Sequence, residues 1–353
     1  MADVTTIASD TSNATDSYKT YTEFKVANYV KIVWCIIIIP MGTAGNVLSF
    51  MIMRSKEMRK STTSFYLSVL AVSDCCVIYL AALPELIFTI IGTPRYDYND
   101  ITCTVLNYAE FITTDISSWI LVVVSFERLL AAWFPFHAKR ICSIRIAYIA
   151  CLLIALSLAA VNSQLLVLKG RDESGVCGPK PQFRDYWANV WLTWDMCNFS
   201  ILPMCTMSVC NLSVLLKLKM NKSWQEKRKS TAQGDGKKKV SSNTIIMMTI
   251  NIAFFSTTFP SVLFQVLVPN WIETKGHNRA QYELIWAFLL MLSFTNSAIN
   301  FLLYCLSGPR FRKELRSILG IATRTATVGP ESNTANTRVN HKTKPQPTSE
   351  VSG

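Results

Sequence analysis

Apolar residues gather into seven long runs along the chain, and polar residues fall mainly between them. The runs cover residues 30–53, 64–91, 103–134, 144–168, 188–216, 241–268 and 282–306. Each reaches the ~20 residues that a helix needs to cross the hydrocarbon of a bilayer. Helix is the form expected, because lipid offers no partner for an unpaired backbone N–H or C=O. The pattern predicts an all-α membrane protein, a bundle of seven transmembrane helices. After the last run, Gly308 and Pro309 break the helix. Phe311, Leu315, Ile318 and Leu319 then recur as an apolar stripe beside a basic face, which predicts a short amphipathic helix over 311–319 lying along the membrane surface. Residues 1–27 and 321–353 are rich in Ser, Thr, Asn and Pro. Both are expected to be disordered, flanking an ordered domain at 28–320.

The chain has 353 residues, 50% hydrophobic and 16% charged, with mean hydropathy +0.26. A soluble domain would carry roughly 25% charged residues, so composition agrees with the runs. The net charge of +12 does not mark a nucleic-acid binder, because the excess lies in alternate loops. These hold Arg54, Lys56, Arg59 and Lys60; Lys139, Arg140 and Arg145; Lys217 through Lys239; and Arg310 through Arg316. The intervening loops are mixed in sign, as with Arg95, Asp97 and Asp100, or Lys169, Arg171, Asp172 and Glu173, or Glu273 and Lys275. Basic loops stay cytoplasmic, which places the N-terminus outside and the tail inside a multi-pass protein. Residues 1–27 lack the order of a cleavable leader, so the first run is expected to act as the insertion signal. Asn13-Ala14-Thr15 is a glycosylation sequon on the outer side, whereas Asn221-Lys222-Ser223 falls inside and should go unused. Of eleven cysteines, only Cys103 and Cys177 fall at the outer face. An oxidising exterior favours a bridge between them over two free thiols.

Polar residues inside the runs form two sets. Asp74, Ser117, Asn296 and Asn300 lie at matching depth, and 296 and 300 share a helix face. A buried carboxylate needs partners, so this set reads as an oxygen cage for a sodium ion or as a hydrogen-bonded packing node. Nearer the outside come Glu85, Glu110 and Asp195, with Thr114 and Gln265 completing a candidate ligand-binding set. Few basic residues share their depth, which points to a cationic ligand group. Asp115 is turned about 140° from Glu110 on an ideal helix and need not share that cavity. Glu127 and Arg128 stand together where the third run ends; Arg128 is about five turns from Glu110 and faces the bundle interior with it. The three histidines are dispersed, and there is no phosphate loop, metal-ligand cluster or enzymatic constellation. No cofactor is expected beyond an allosteric sodium ion.

Together these residues resemble the rhodopsin-like (class A) G-protein-coupled receptors over about residues 28–320. The resemblance is carried by Gly45-Asn46, Leu70 to Asp74, Cys103 with Cys177, and Glu127-Arg128 followed by Pro135. Pro203, Phe254 with Pro260, Asn300 to Tyr304, and Phe311 continue it. The chain departs from the family pattern at Leu129, Asn211, Thr258 and Phe301, and lacks the usual tryptophan of the fourth span. The resemblance implies a receptor at the plasma membrane that passes ligand binding to a heterotrimeric G protein, with Glu127, Arg128 and Tyr304 in the switch. It implies arrestin and a receptor kinase as further partners, acting on Thr323, Thr325, Thr327, Ser332, Thr334 and Thr337. The seventh span has no lysine for a retinal Schiff base. The pattern is most similar to invertebrate neuropeptide receptors of the FMRFamide or thyrotropin-releasing-hormone-like kind, which implies a cationic, amidated peptide ligand. Three alternatives stand beside it: a biogenic-amine receptor using Glu110, a receptor without G-protein coupling, and an ion transporter relaying through Asp74, Glu110 and Asp115.

Overall fold

The computed structural model describes residues 17–92, 99–171, 175–229, 242–268 and 275–320. The Asn13 sequon, the tail hydroxyls from Thr323 to Thr337, and Lys237 to Lys239 lie outside them. Seven long helices build the bundle: Thr22–Met53, Thr62–Ile91, Asp100–Trp133, Ile144–Leu168, Pro181–Met220, Ser242–Leu267 and Gly276–Ser307, here the first to seventh spans. The fifth continues to Lys229. Most of these helices are longer than the apolar runs. A helix continues past hydrocarbon wherever its backbone pairs internally, so hydropathy locates the middle of a span better than its ends. The first span begins at Thr22 after a turn at Ser17–Thr20, so ordered structure reaches earlier than residue 28. The short helix Pro309–Ile318 follows the seventh span, as the stripe predicts.

The third span is central, packing on the second, fourth, fifth and sixth; the first packs on the second and seventh. Two glycines permit the first and seventh to approach. A Cβ on Gly42 would meet the Ala298 Cβ at 2.9 Å and the Ile78 Cδ1 at 2.6 Å, and one on Gly45 would meet the Phe301 Cβ at 3.0 Å. Two wide π-helical turns, Ile78–Ala82 and Cys197–Ile201, immediately precede Pro84 and Pro203. A proline ring clashes with the carbonyl four residues back, and widening the turn relieves that clash. Outward faces are apolar, with Leu152, Leu153 and Leu156 of the fourth span each more than half exposed, as a lipid-facing helix requires.

A disulfide joins Cys103, at the start of the third span, to Cys177 in the strand pair Lys169–Arg171 and Cys177–Pro179. It marks one end of the bundle, the disulfide end; Arg128 marks the other, the arginine end. At the disulfide end, His277 Nε2 lies 2.8 Å from Glu23 Oε1 and its ring stacks on Tyr21. At the arginine end, Phe311 is buried against Phe301 and Tyr304. Arg312 Nη1 donates to the Cys305 and Leu306 carbonyls at 2.8 Å each, capping acceptors that the end of the seventh span leaves open.

Candidate functional site

A cavity of about 220 Å³ opens in the bundle between the second, third, fifth, sixth and seventh spans. Glu110, Thr114, Asp115, Asp195 and Gln265 line it together with Phe111, Phe199, Phe254 and Trp286. Among the described residues that line it, three are acidic and none is Lys or Arg. Four of the five candidate ligand-binding residues therefore meet in one space. Glu85 does not belong with them: its carboxylate pairs with Lys31 Nζ at 3.0 Å, both side chains being buried. A basic residue in the first span thus answers the acid that the sequence assigns to a ligand. Asp115 shares the cavity with Glu110, against the expectation from an ideal helical wheel. Its Oδ2 accepts from Asn162 Nδ2 and Asn198 Nδ2 at 2.8 Å each, tying the third span to the fourth and fifth. Asn198 sits in the widened turn before Pro203, and its carbonyl accepts from the Trp119 indole at 3.2 Å. Neither amide was singled out in the sequence, although each is a polar side chain in an apolar run.

Ser117, Asn296 and Ser297 also line this cavity, so it reaches down toward Asp74. Asp74 is fully buried; Ser117 Oγ donates to its Oδ1 at 3.0 Å and Asn300 Nδ2 to its Oδ2 at 2.7 Å. Among the described residues, Asn296 makes no hydrogen bond to Asp74; its Oδ1 accepts from Thr257 Oγ1 at 3.4 Å. Asn46 Nδ2 donates to the Ser297 carbonyl at 2.8 Å and pins the first span to the seventh beside this node. Ser117 and Asn300 both donate to the Asp74 carboxylate, so the set is a hydrogen-bonded node joining the second, third and seventh spans. Thr258, at the base of the sixth-span proline turn, is wholly buried and its hydroxyl has no hydrogen-bond partner.

At the arginine end, Arg128 Nη2 lies 3.2 Å from Glu127 Oε2. The second span completes the pair. Thr62 donates to Glu127 Oε1, Thr63 donates to Glu127 Oε2 at 3.2 Å, and Arg128 Nη2 donates to the Thr63 hydroxyl. The pair is thus a four-residue clasp between the second and third spans. Both threonines open the second span and carry no sequence signal of this role. Tyr304 is buried, and its ring packs on Phe311 at the junction with the short helix. Asn211 lines a separate groove of about 310 Å³ between the fifth and sixth spans, with Asn251, whose amide donates to Ser125 Oγ at 2.7 Å.

The profile described as "7 transmembrane receptor (rhodopsin family)" matches residues 45–304. The chain is 26% identical to the cysteinyl leukotriene receptor 2 of Homo sapiens over 290 residues, 80% of each chain. It is 25% identical to the thyrotropin-releasing hormone receptor of Bos taurus over 321 residues, 82% of this chain and 77% of the relative. To the KiSS-1 receptor of Homo sapiens it is 26% identical over 306 residues, 80% of this chain and 73% of the relative.

Proposed function

The chain belongs to the rhodopsin family of seven-transmembrane receptors, and on that premise we propose that it is a receptor for a cationic, amidated neuropeptide. The observation that carries this reading is a cavity lined, among the described residues, by three carboxylates and no basic side chain. A cation entering it replaces water with charge-assisted hydrogen bonds at low local dielectric. Such a cavity favours a basic peptide over an acidic lipid. The thyrotropin-releasing hormone receptor among the relatives supports a peptide ligand. In this reading Glu110 meets an Arg or Lys of the peptide, Asp195 assists it, and Thr114 and Gln265 receive polar groups of the backbone or terminal amide.

Binding acts by population shift: the ligand moves the equilibrium by its differential affinity for two conformations. The clasp of Glu127, Arg128, Thr62 and Thr63 holds the resting one, and its release frees Arg128 for a heterotrimeric G protein. A sodium ion held by Asp74, Ser117 and Asn300 would add weight to the resting state by bonding these oxygens to one another through the ion. The disulfide end faces outward at the plasma membrane, with Asn13 glycosylated. The tail hydroxyls from Thr323 to Thr337 take phosphate from a receptor kinase and recruit arrestin. The chain is a signalling receptor and not an enzyme.

The test is a panel of amidated peptides on cells expressing the chain, read by calcium and cyclic AMP. Activation by peptides with a basic residue near the amide, lost when that residue is replaced by citrulline or norleucine, is expected. Activation by a neutral or acidic ligand alone would contradict the reading.

A further inference from the structure

Asp115 carries an oxygen that the bundle does not use. Its Oδ2 takes both amides, from Asn162 and Asn198, while its Oδ1 has no hydrogen-bond partner among the described residues. The residue is only 1% exposed. A buried acceptor without a donor is costly, and more so when it is charged. The two amides, one from the fourth span and one from the fifth, hold the carboxylate in place. Asp115 lines the cavity, and its unbonded oxygen is buried in the wall of that space.

The cavity wall holds two further carboxylates. Asp115 lies about 7.5 Å farther along the third span than Glu110, on the side away from the disulfide. Asp195 stands on the fifth span. Among the described residues, no three His, Cys, Asp or Glu side chains converge to hold a metal ion. Separated carboxylates suit separated cationic groups on one extended ligand better than a single ion.

We propose that Asp115 is a second, deep anchor and that the ligand is therefore dibasic. One ammonium or guanidinium meets Glu110, and another donates an N–H to Asp115 Oδ1 below it. The inference rests on the reading of the cavity as a cationic-ligand site, and it adds the number of charges and the residue that takes the second.

The test uses the full chain in lipid nanodiscs and a homologous series of linear diamines, each compared with the monoamine of the same length. Thermal unfolding is measured against amine concentration. In the wild type, a diamine of matching length is expected to stabilise at about tenfold lower concentration than its monoamine, in line with one added charge-assisted hydrogen bond. Asp115→Asn keeps the size of the side chain and should erase that advantage, so that diamine and monoamine act at similar concentrations. Asp115→Ser is the second variant if the first does not fold. No diamine advantage in the wild type, or an advantage undiminished in both variants, overturns the proposal. Glu110→Gln separates the two claims. If it removes the monoamine's effect while the diamine advantage ignores Asp115, the cationic site stands and the deep anchor falls. If no amine stabilises the wild type, both fall.

Discussion

Glu85 and Asp115 changed roles between sequence and structure, each because of a partner distant in the chain. Hydropathy places a charge in a span but does not identify the side chain across the bundle that answers it. Lys31 answers Glu85, and two asparagines from different spans answer one oxygen of Asp115. Removing one member of a buried ion pair leaves an uncompensated charge, whereas replacing both with apolar residues is often neutral. Glu85→Leu alone is expected to destabilise the receptor by about 3–5 kcal/mol, and the double variant Lys31→Met with Glu85→Leu to recover most of that loss. Thermal unfolding in nanodiscs measures both; an unchanged single variant would show that the pair is idle. At the other end, Glu127→Gln weakens the clasp on Arg128 and should raise ligand-independent G-protein signalling. A basal signal at the wild-type level would remove Glu127 from the latch.

Spans were legible because a membrane forces both their composition and their secondary structure; their widened turns and close approaches were not. Pro203 was visible as a helix break, but the π-helical turn that it imposes, and the amide that this turn aims at Asp115, depend on packing. Pro203→Ala restores a backbone N–H, and reversion of Cys197–Ile201 to regular helix would swing Asn198 by about 100°. The loss of its hydrogen bond to Asp115 should cost about 1 kcal/mol and loosen ligand binding. Unchanged stability and binding would show that the turn does not need the proline. Gly45 was legible as a family motif, whereas Gly42 was not, and the tighter contact is at Gly42. Gly42→Val would force the first and seventh spans apart at a cost of about 1–3 kcal/mol by overpacking, again read by thermal unfolding.

Across the whole molecule, one cavity reaches from Glu110 toward the Asp74 node, and the third span continues from there to the clasp. Coupling between ends needs an element with two arrangements that both sites bias, and the third span carries residues of the cavity, the node and the clasp. Asp74→Ala should abolish any effect of sodium on agonist affinity, since the ion's charged ligand is gone; a persisting effect would place the ion elsewhere. The account as a whole turns on whether the cavity recognises positive charge. Its most direct measurement is the dose–response of an activating basic peptide on Glu110→Gln against the wild type, at equal surface expression. A loss of potency of about tenfold or more is predicted, the worth of one charge-assisted hydrogen bond at a desolvated site. Unchanged potency would contradict the account.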